Sequence, residues 1–186
     1  MNSSKQPSVE GMKILVAVTG GIGAYKICSL VSRLVQSGAE VQVAMTEMGA
    51  RFVGPLTFEA LTGKRVILST HGEGGDSMEH IQAARWAEVL LVAPCTANTM
   101  AKLAQGLADD VVSTMSLAFK GTQILAPAMN PEMWSKPSTL RNKAQLMEDG
   151  FVVLDPESGP MACGDVGVGR VPTESVLLDA LVQFRS

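Results

Sequence analysis

Aromatic side chains are scarce in this chain: Phe, Trp and Tyr make up 4% of 186 residues, with one tyrosine. The interior must therefore be aliphatic, and at 46% hydrophobic the chain can fill one domain with a sizeable core. That proportion also excludes a disordered chain. Cysteine is sparse and odd in number: Cys28, Cys95 and Cys163 are three thiols at scattered spacing. Such a set argues against a disulfide framework or a metal site and fits a reducing, cytoplasmic setting. Basic runs are absent and the formal net charge is −3, so no nucleic-acid partner is expected. No apolar run approaches the roughly 18 residues that span a bilayer, so no membrane is expected either. Residues 1–12 are polar and carry no signal-peptide core. They read as a flexible leader to a single domain over 13–186.

Glycine and short aliphatic runs are plentiful. Lys13 to Val18 reads as a central parallel strand. It ends in a Gly-rich turn, Thr19-Gly20-Gly21-Ile22-Gly23-Ala24-Tyr25-Lys26. A helical period follows, with Ile27, Leu30, Val31, Leu34 and Val35 on one face. Glu40 to Met45 is a second strand. This β-α-β unit is the arrangement that places a phosphate on a helix N-terminus. It is less than a dinucleotide fingerprint. Lys26 stands where a third glycine would be, and Thr46, not an acid, ends the second strand. A mononucleotide such as FMN suits it better than NAD; the bland reading is a plain tight turn.

Further on, Thr46 to Val53 and Pro55 to Leu61 read as short helices, and Arg65 to Leu68 as a brief strand. Ser77 to Trp86 begins another helix, carrying His80, after a Gly-rich loop in which His71 reads as solvated. Glu88 to Ala93 is a strand whose exit, Pro94-Cys95-Thr96-Ala97-Asn98-Thr99, offers hydroxyls and an amide at a helix start. Asp109-Asp110 reads as a helix cap. Thr122 to Ala126 is a strand followed by Pro127-Ala128-Met129-Asn130-Pro131-Glu132-Met133-Trp134. One helix is expected from about Pro131 to Asp149, then a strand at Phe151 to Leu154. Ser158 to Arg170 is expected to be a Gly-rich loop, and Thr173 starts a final helix.

Strands alternating with helices give a doubly wound, three-layer α/β/α sandwich. Its crossovers bring Gly20-Gly21, Thr46, Thr96 to Thr99 and Asn130 to one edge of the sheet, where ligands bind. Asn130 has two readings: an amide that holds a carboxylate without adding charge, or a helix cap only. His80 could act as base, acid or hydrogen-bond donor, or be a structural histidine. A thiol on the flexible Cys163 segment could donate a proton over a substrate, or be a bystander. Cys28 reads as a bystander, and Cys95 could touch a cofactor through its backbone alone. Arg170 is a phosphate ligand or a rim charge.

Taken together, the turn at 20–26, Glu79-His80-Ile81, Ala93 to Thr99, Pro127 to Trp134 and Ala162-Cys163-Gly164-Asp165-x-Gly167-x-Gly169-Arg170 resemble the flavin-containing cysteine decarboxylases. The resemblance runs from about Lys13 to the C-terminus. It implies a Rossmann-like, flavodoxin-like parallel sheet, FMN, and a homotrimer or an assembly of trimers. It implies FMN contacts at Gly20, Gly21, Ile22, Thr46, Glu47, Met48, Thr96, Ala97, Asn98, Thr99 and Ala128. It makes His80 a catalytic histidine, Asn130 the grip on the substrate carboxylate and Cys163 the proton donor. Met161 and Ala162 then flank the substrate. The implied reaction is FMN-dependent decarboxylation of 4′-phosphopantothenoylcysteine to 4′-phosphopantetheine in coenzyme A biosynthesis. It would pass through a thioaldehyde and an enethiolate, with no net redox change. The implied protein is a stand-alone decarboxylase, since the second domain of the bifunctional bacterial form is not in the sequence. Gly23 where alanine is usual, Cys95 where alanine or serine is common, and Val171 where methionine is common depart from the pattern. A peptidyl-cysteine decarboxylase of lanthipeptide biosynthesis, a flavin prenyltransferase and a flavin-binding regulatory subunit are the rival readings. The Cys163 segment disfavours the first, the Asn130 segment the second, and the lack of a long acidic tail the third.

Overall fold

The computed structural model describes residues 8–71, 78–160, 164 and 166–184. Its centre is a parallel sheet of five strands: β1 (Lys13–Val18), β2 (Glu40–Met45), β3 (Val89–Cys95), β4 (Thr122–Pro127) and β5 (Val152–Val153). Their spatial order is β2-β1-β3-β4-β5, all parallel. The chain moves outward from β1 to β2, then returns to the other side of β1 with β3. The sheet edge opens between β1 and β3, the switch point where flavodoxin-like sheets take their ligand.

Each inner strand is buried on both faces, which is why it reads as an unbroken aliphatic run rather than an alternation. Ile14, Val16, Val18, Val89, Leu91, Ala93, Ile124 and Ala126 point to one face. There they meet helices α1 (Ala24–Gln36), α3 (Pro55–Thr62) and α9 (Glu174–Gln183). Leu15, Ala17, Leu90, Val92 and Leu125 point to the other face. That face is covered by α4 (Glu79–Trp86), α5 (Ala97–Ala104), α6 (Val111–Ala118) and α8 (Pro137–Glu148). Two apolar layers on one sheet give the expected three-layer sandwich. Among the described residues no helix is long and apolar enough to cross a membrane.

Four local expectations change. Val9 and Met12 are buried in the core, and the Gly11 N–H donates to Gly38 O at 2.9 Å. The folded part therefore already includes 8–12, whose apolar residues three apart sequence polarity had masked. Arg65 to Leu68 is no strand; a single bridge joins Ile67 to Ala44. Side chains take the neighbouring backbone groups: Gln42 Nε2 donates to Arg65 O at 2.6 Å, and Glu59 accepts from Val66 N at 3.1 Å. The helix expected over 131–149 is two, α7 (Pro131–Ser135) and α8. Pro137 has no N–H to continue the first and forces Lys136 to be extended. The loop expected over 158–170 contains a two-stranded antiparallel ribbon, β6 (Glu157–Pro160) and β7 (Val166–Arg170).

Candidate active site

The carboxyl ends of the inner strands border one cavity of about 870 Å³. Gly20, Gly21 and Ile22 reach it after β1, and Thr46, Glu47 and Met48 after β2. Thr96, Ala97, Asn98 and Thr99 line it after β3, and Ala128 and Asn130 after β4. The eleven residues that the resemblance assigns to the cofactor therefore meet one another, and Asn130, in one place.

The cradle is fixed by its own polar groups. Thr19 is buried at the end of β1; its Oγ1 donates to Pro94 O at 2.6 Å and accepts from Thr96 N at 3.2 Å. This ties the ends of β1 and β3 together at the switch point. Thr46 Oγ1 accepts from Gly49 N at 3.0 Å, capping α2 (Glu47–Phe52). Thr96 Oγ1 accepts from Thr99 N at 3.2 Å, capping α5, and lies 3.0 Å from Thr99 Oγ1. The hydroxyls that face the cavity are thus also the caps that start its helices. Gly20 is required by close approach: a Cβ there would lie 2.5 Å from Met48 Cβ. Only bare backbone lets the first turn and α2 meet.

The cap reading of Asn130 holds, and the residue also borders the cavity. Its Oδ1 accepts from Glu132 N at 2.8 Å, capping α7, while the side chain lines the cavity. The cap orients the amide that the cavity sees. Cys95 is fully buried, its carbonyl accepts from Ala128 N at 3.0 Å, and burial pushes its thiol far up, so it stays protonated. It does not line the cavity. Cys28 lies half-buried in α1, its thiol likewise raised by burial.

His80 stands elsewhere. It is 9% exposed, in the first turn of α4, and does not line its own chain's cavity. Met161, Ala162 and Cys163 lie outside the described residues.

The cavity also recruits residues that sequence reading left aside: Tyr25, Lys26, Lys102, Asp109, Met133 and Val171 among them. Lys102 Nζ lies 2.8 Å from Asp109 and 2.7 Å from Asp110. The two carboxylate hydrogen bonds raise the Lys102 pKa. Burial pushes the Asp110 carboxyl up, but the bonds from Lys102 and the Ser113 N–H outweigh it and hold it low. Asp110 caps α6 in a reciprocal box with Ser113, as expected, whereas Asp109 does not cap and instead pairs with Lys102. Gly106, at φ 66°, ends α5 and turns the chain back on itself.

With this geometry in hand, likeness to known proteins is decisive. The family model described as Flavoprotein matches residues 2–186. The coenzyme A biosynthesis bifunctional protein CoaBC of Bacillus subtilis (strain 168) is 48% identical over 159 residues, 85% of this chain and 39% of that protein. This chain belongs to the Flavoprotein family. The CoaBC of Escherichia coli (strain K12) is 40% identical over 176 residues, 94% of this chain and 43% of that protein. The chain thus spans about two fifths of the curated relatives it matches. Among solved family structures, a cysteine-to-serine mutant of PPC decarboxylase complexed with pantothenoylaminoethenethiol superposes with a TM-score of 0.83 at 30% identity. That match covers 94% of this chain and 98% of the other. The FMN-dependent cysteine decarboxylase SpaF gives 0.80 at 31% identity, covering 96% of this chain and 100% of the other.

Proposed function

We propose that this chain decarboxylates 4′-phosphopantothenoylcysteine to 4′-phosphopantetheine, with FMN as cofactor, in the cytoplasmic synthesis of coenzyme A. One observation carries the reading: the eleven residues expected to hold FMN, with Asn130, border one cavity at the switch point of a 2-1-3-4-5 sheet. The likeness to PPC decarboxylase, over 98% of that chain, supports this substrate.

The residues present fit a flavin mononucleotide. The cavity is at the large end of the range for small-molecule sites, roomy enough for cofactor and substrate together. The first turns of α1 and α5 and the Thr96 and Thr99 hydroxyls suit a phosphate. Ile22, Met48 and Met133 supply apolar wall for a ring system. FMN, when bound, supplies a reversible two-electron acceptor.

The remaining work falls to the chain's own side chains. Asn130 offers an amide donor that orients the substrate carboxylate without opposing its charge. His80 would steer or move a proton at the substrate thiol. Cys163, between β6 and β7 in the chain, would give the final proton to the substrate carbon, with Met161 and Ala162 beside it. His80 does not line its own cavity, so its role requires His80 of the partner subunit to reach the site. That calls for an oligomer, and a homotrimer or an assembly of trimers is the form the family resemblance implies.

Mass spectrometry after adding phosphopantothenoylcysteine tests this directly: loss of CO2 is expected. Asn130→Asp sets a carboxylate against a carboxylate and should cut CO2 release at least about 100-fold. Cys163→Ser should still release CO2 but accumulate an oxidised enethiol; full turnover by it would remove Cys163 from the scheme. Mixing inactive His80→Asn and Asn130→Asp subunits should restore activity if the histidine acts across an interface. The likeness to SpaF, an FMN-dependent cysteine decarboxylase, keeps a different cysteine compound, such as the peptidyl-cysteine of the rival reading, as the second reading. The same experiment with a peptide ending in cysteine decides between them.

A further inference from the structure

The β6–β7 ribbon brings a guanidinium to the cavity by a route that uses two glycines. Along the ribbon Glu157 pairs with Arg170 and Ser158 with Val168, so Gly169 is a bulge. Its carbonyl leaves the ladder and accepts from Met129 N at 2.9 Å. Bulges re-aim the side chain that follows, and that side chain is Arg170, which lines the cavity. Opposite lies Gly159, at φ +153°, and a Cβ there would sit 3.1 Å from Arg170 Cδ and 3.3 Å from Cζ, with Nη1 closer still. The arginine lies in the slot that the missing side chain leaves.

The other cavity cations differ. Lys102 is neutralised by Asp109 and Asp110. Lys26 sits in the first turn of α1, beside the Gly-rich turn proposed for the cofactor phosphate. Arg170 belongs to no salt bridge among the described residues. It is a forked donor suited to a phosphate dianion. It stands on the wall that follows Asn130 rather than on the helix starts.

We infer that Arg170, aimed by the Gly169 bulge and seated in the Gly159 slot, holds the phosphate of the substrate and so sets the preference for a phosphorylated acyl-cysteine. This rests on the proposed function. Two phosphates are candidates, the cofactor's and the substrate's, and the test separates them. Decarboxylation is measured with phosphopantothenoylcysteine and with its dephosphorylated form, for wild type, Arg170→Ala, Arg170→Lys and Gly159→Ala. FMN and riboflavin affinities of the apoprotein are measured alongside. Wild type should prefer the phosphorylated substrate. Arg170→Ala should reduce that preference about 30-fold, through KM, as expected for hydrogen bonds to a charged group. Arg170→Lys should keep part of it. Gly159→Ala should act in the same direction, and adding Arg170→Ala to it should cost little more. Should Gly159→Ala not fold, the two arginine variants still decide. A preference unchanged in Arg170→Ala overturns the inference while leaving the decarboxylase intact. If that variant instead loses discrimination of FMN over riboflavin, the residue serves the cofactor and the inference also fails. Wild type inactive on both substrates would overturn the functional reading itself.

Discussion

Two regions border the same cavity and are built in opposite ways. The carboxyl edge of the five-stranded sheet is buried backbone, stitched by Thr19 and capped by Thr46 and Thr96. The β6–β7 ribbon is Gly-rich and open, with Val166 78% exposed. It is tied to its surroundings by Met129 N to Gly169 O at 2.9 Å and by Thr173 N to Glu157 Oε1 at 2.7 Å. The sheet edge derives its geometry from the core, whereas the ribbon draws on a few hydrogen bonds and on glycine clearances. The contrast teaches that a cradle can be rigid while the wall beside it is assembled locally.

The sharpest way to break this comparison is to shorten one apolar side chain in each region. Leu91 is fully buried in β3, so Leu91→Ala should cost about 2–5 kcal/mol. Val166→Ala should stay within about 0.5 kcal/mol. Urea unfolding of both variants checks it; comparable losses would mean that the ribbon belongs to the same cooperative core.

That asymmetry also explains what the sequence disclosed. Residues at strand ends were legible because burial on both faces produces aliphatic runs, and each run ends in Gly, Thr or Asn where a helix begins. The ribbon was not, because Gly159, Gly167 and Gly169 read as loop composition, and the pairing that makes them strands is held by contacts beyond the ladder. The Lys102 pair was hidden for another reason. Asp109-Asp110 reads locally as a cap, and only the turn at Gly106 reveals that both carboxylates reach Lys102 and that Asp109 serves it alone. Pro137 is visible as a residue, but proline also sits comfortably in a helix's first turn, and only the extended Lys136 shows that a second helix starts there.

The Lys102–Asp110 pair, on the rigid side, gives the intermediate effect. Asp110→Ala removes a cap and an ion-pair partner and should cost about 1–2 kcal/mol near neutral pH. The folded Asp110 pKa is lowered, so its contribution is present above its ordinary value of 3.8 and is lost as pH falls through the lowered one. The gap between wild type and variant should therefore narrow progressively as pH falls below 3.8. Lys102 has the opposite sign: its folded pKa is raised, so its contribution is full below 10.5 and is lost as pH rises through the raised value. Asp109, 61% exposed on its side chain, should matter far less when replaced by Ala, within about 0.5 kcal/mol. Unfolding curves at pH 3 and pH 7 would show whether these signs hold.

The smallest effect lies where the two regions touch. Gly23 starts α1 at φ −60°, a conformation alanine adopts freely, and Val171, just past β7, fills the space beside it. A Cβ at position 23 would lie 3.2 Å from Val171 Cγ1 and 3.4 Å from its Cβ. Two of the three expected departures, Gly23 and Val171, therefore meet in one contact: a β-branched neighbour close to the helix start leaves room for glycine. Removing backbone freedom from the unfolded chain would favour Gly23→Ala by about 0.4–1 kcal/mol. Crowding against Val171 offsets that, so the single variant should fall within about 0.5 kcal/mol of wild type. Adding Val171→Ala relieves the contact but forfeits buried apolar area, since Val171 is 3% exposed. The double variant should lose less than the sum of the two single changes, because the relieved crowding is shared between them. A strictly additive cycle in urea unfolding would mean that the ribbon's end and the first turn do not constrain each other, and that the sheet edge alone shapes this side of the cavity.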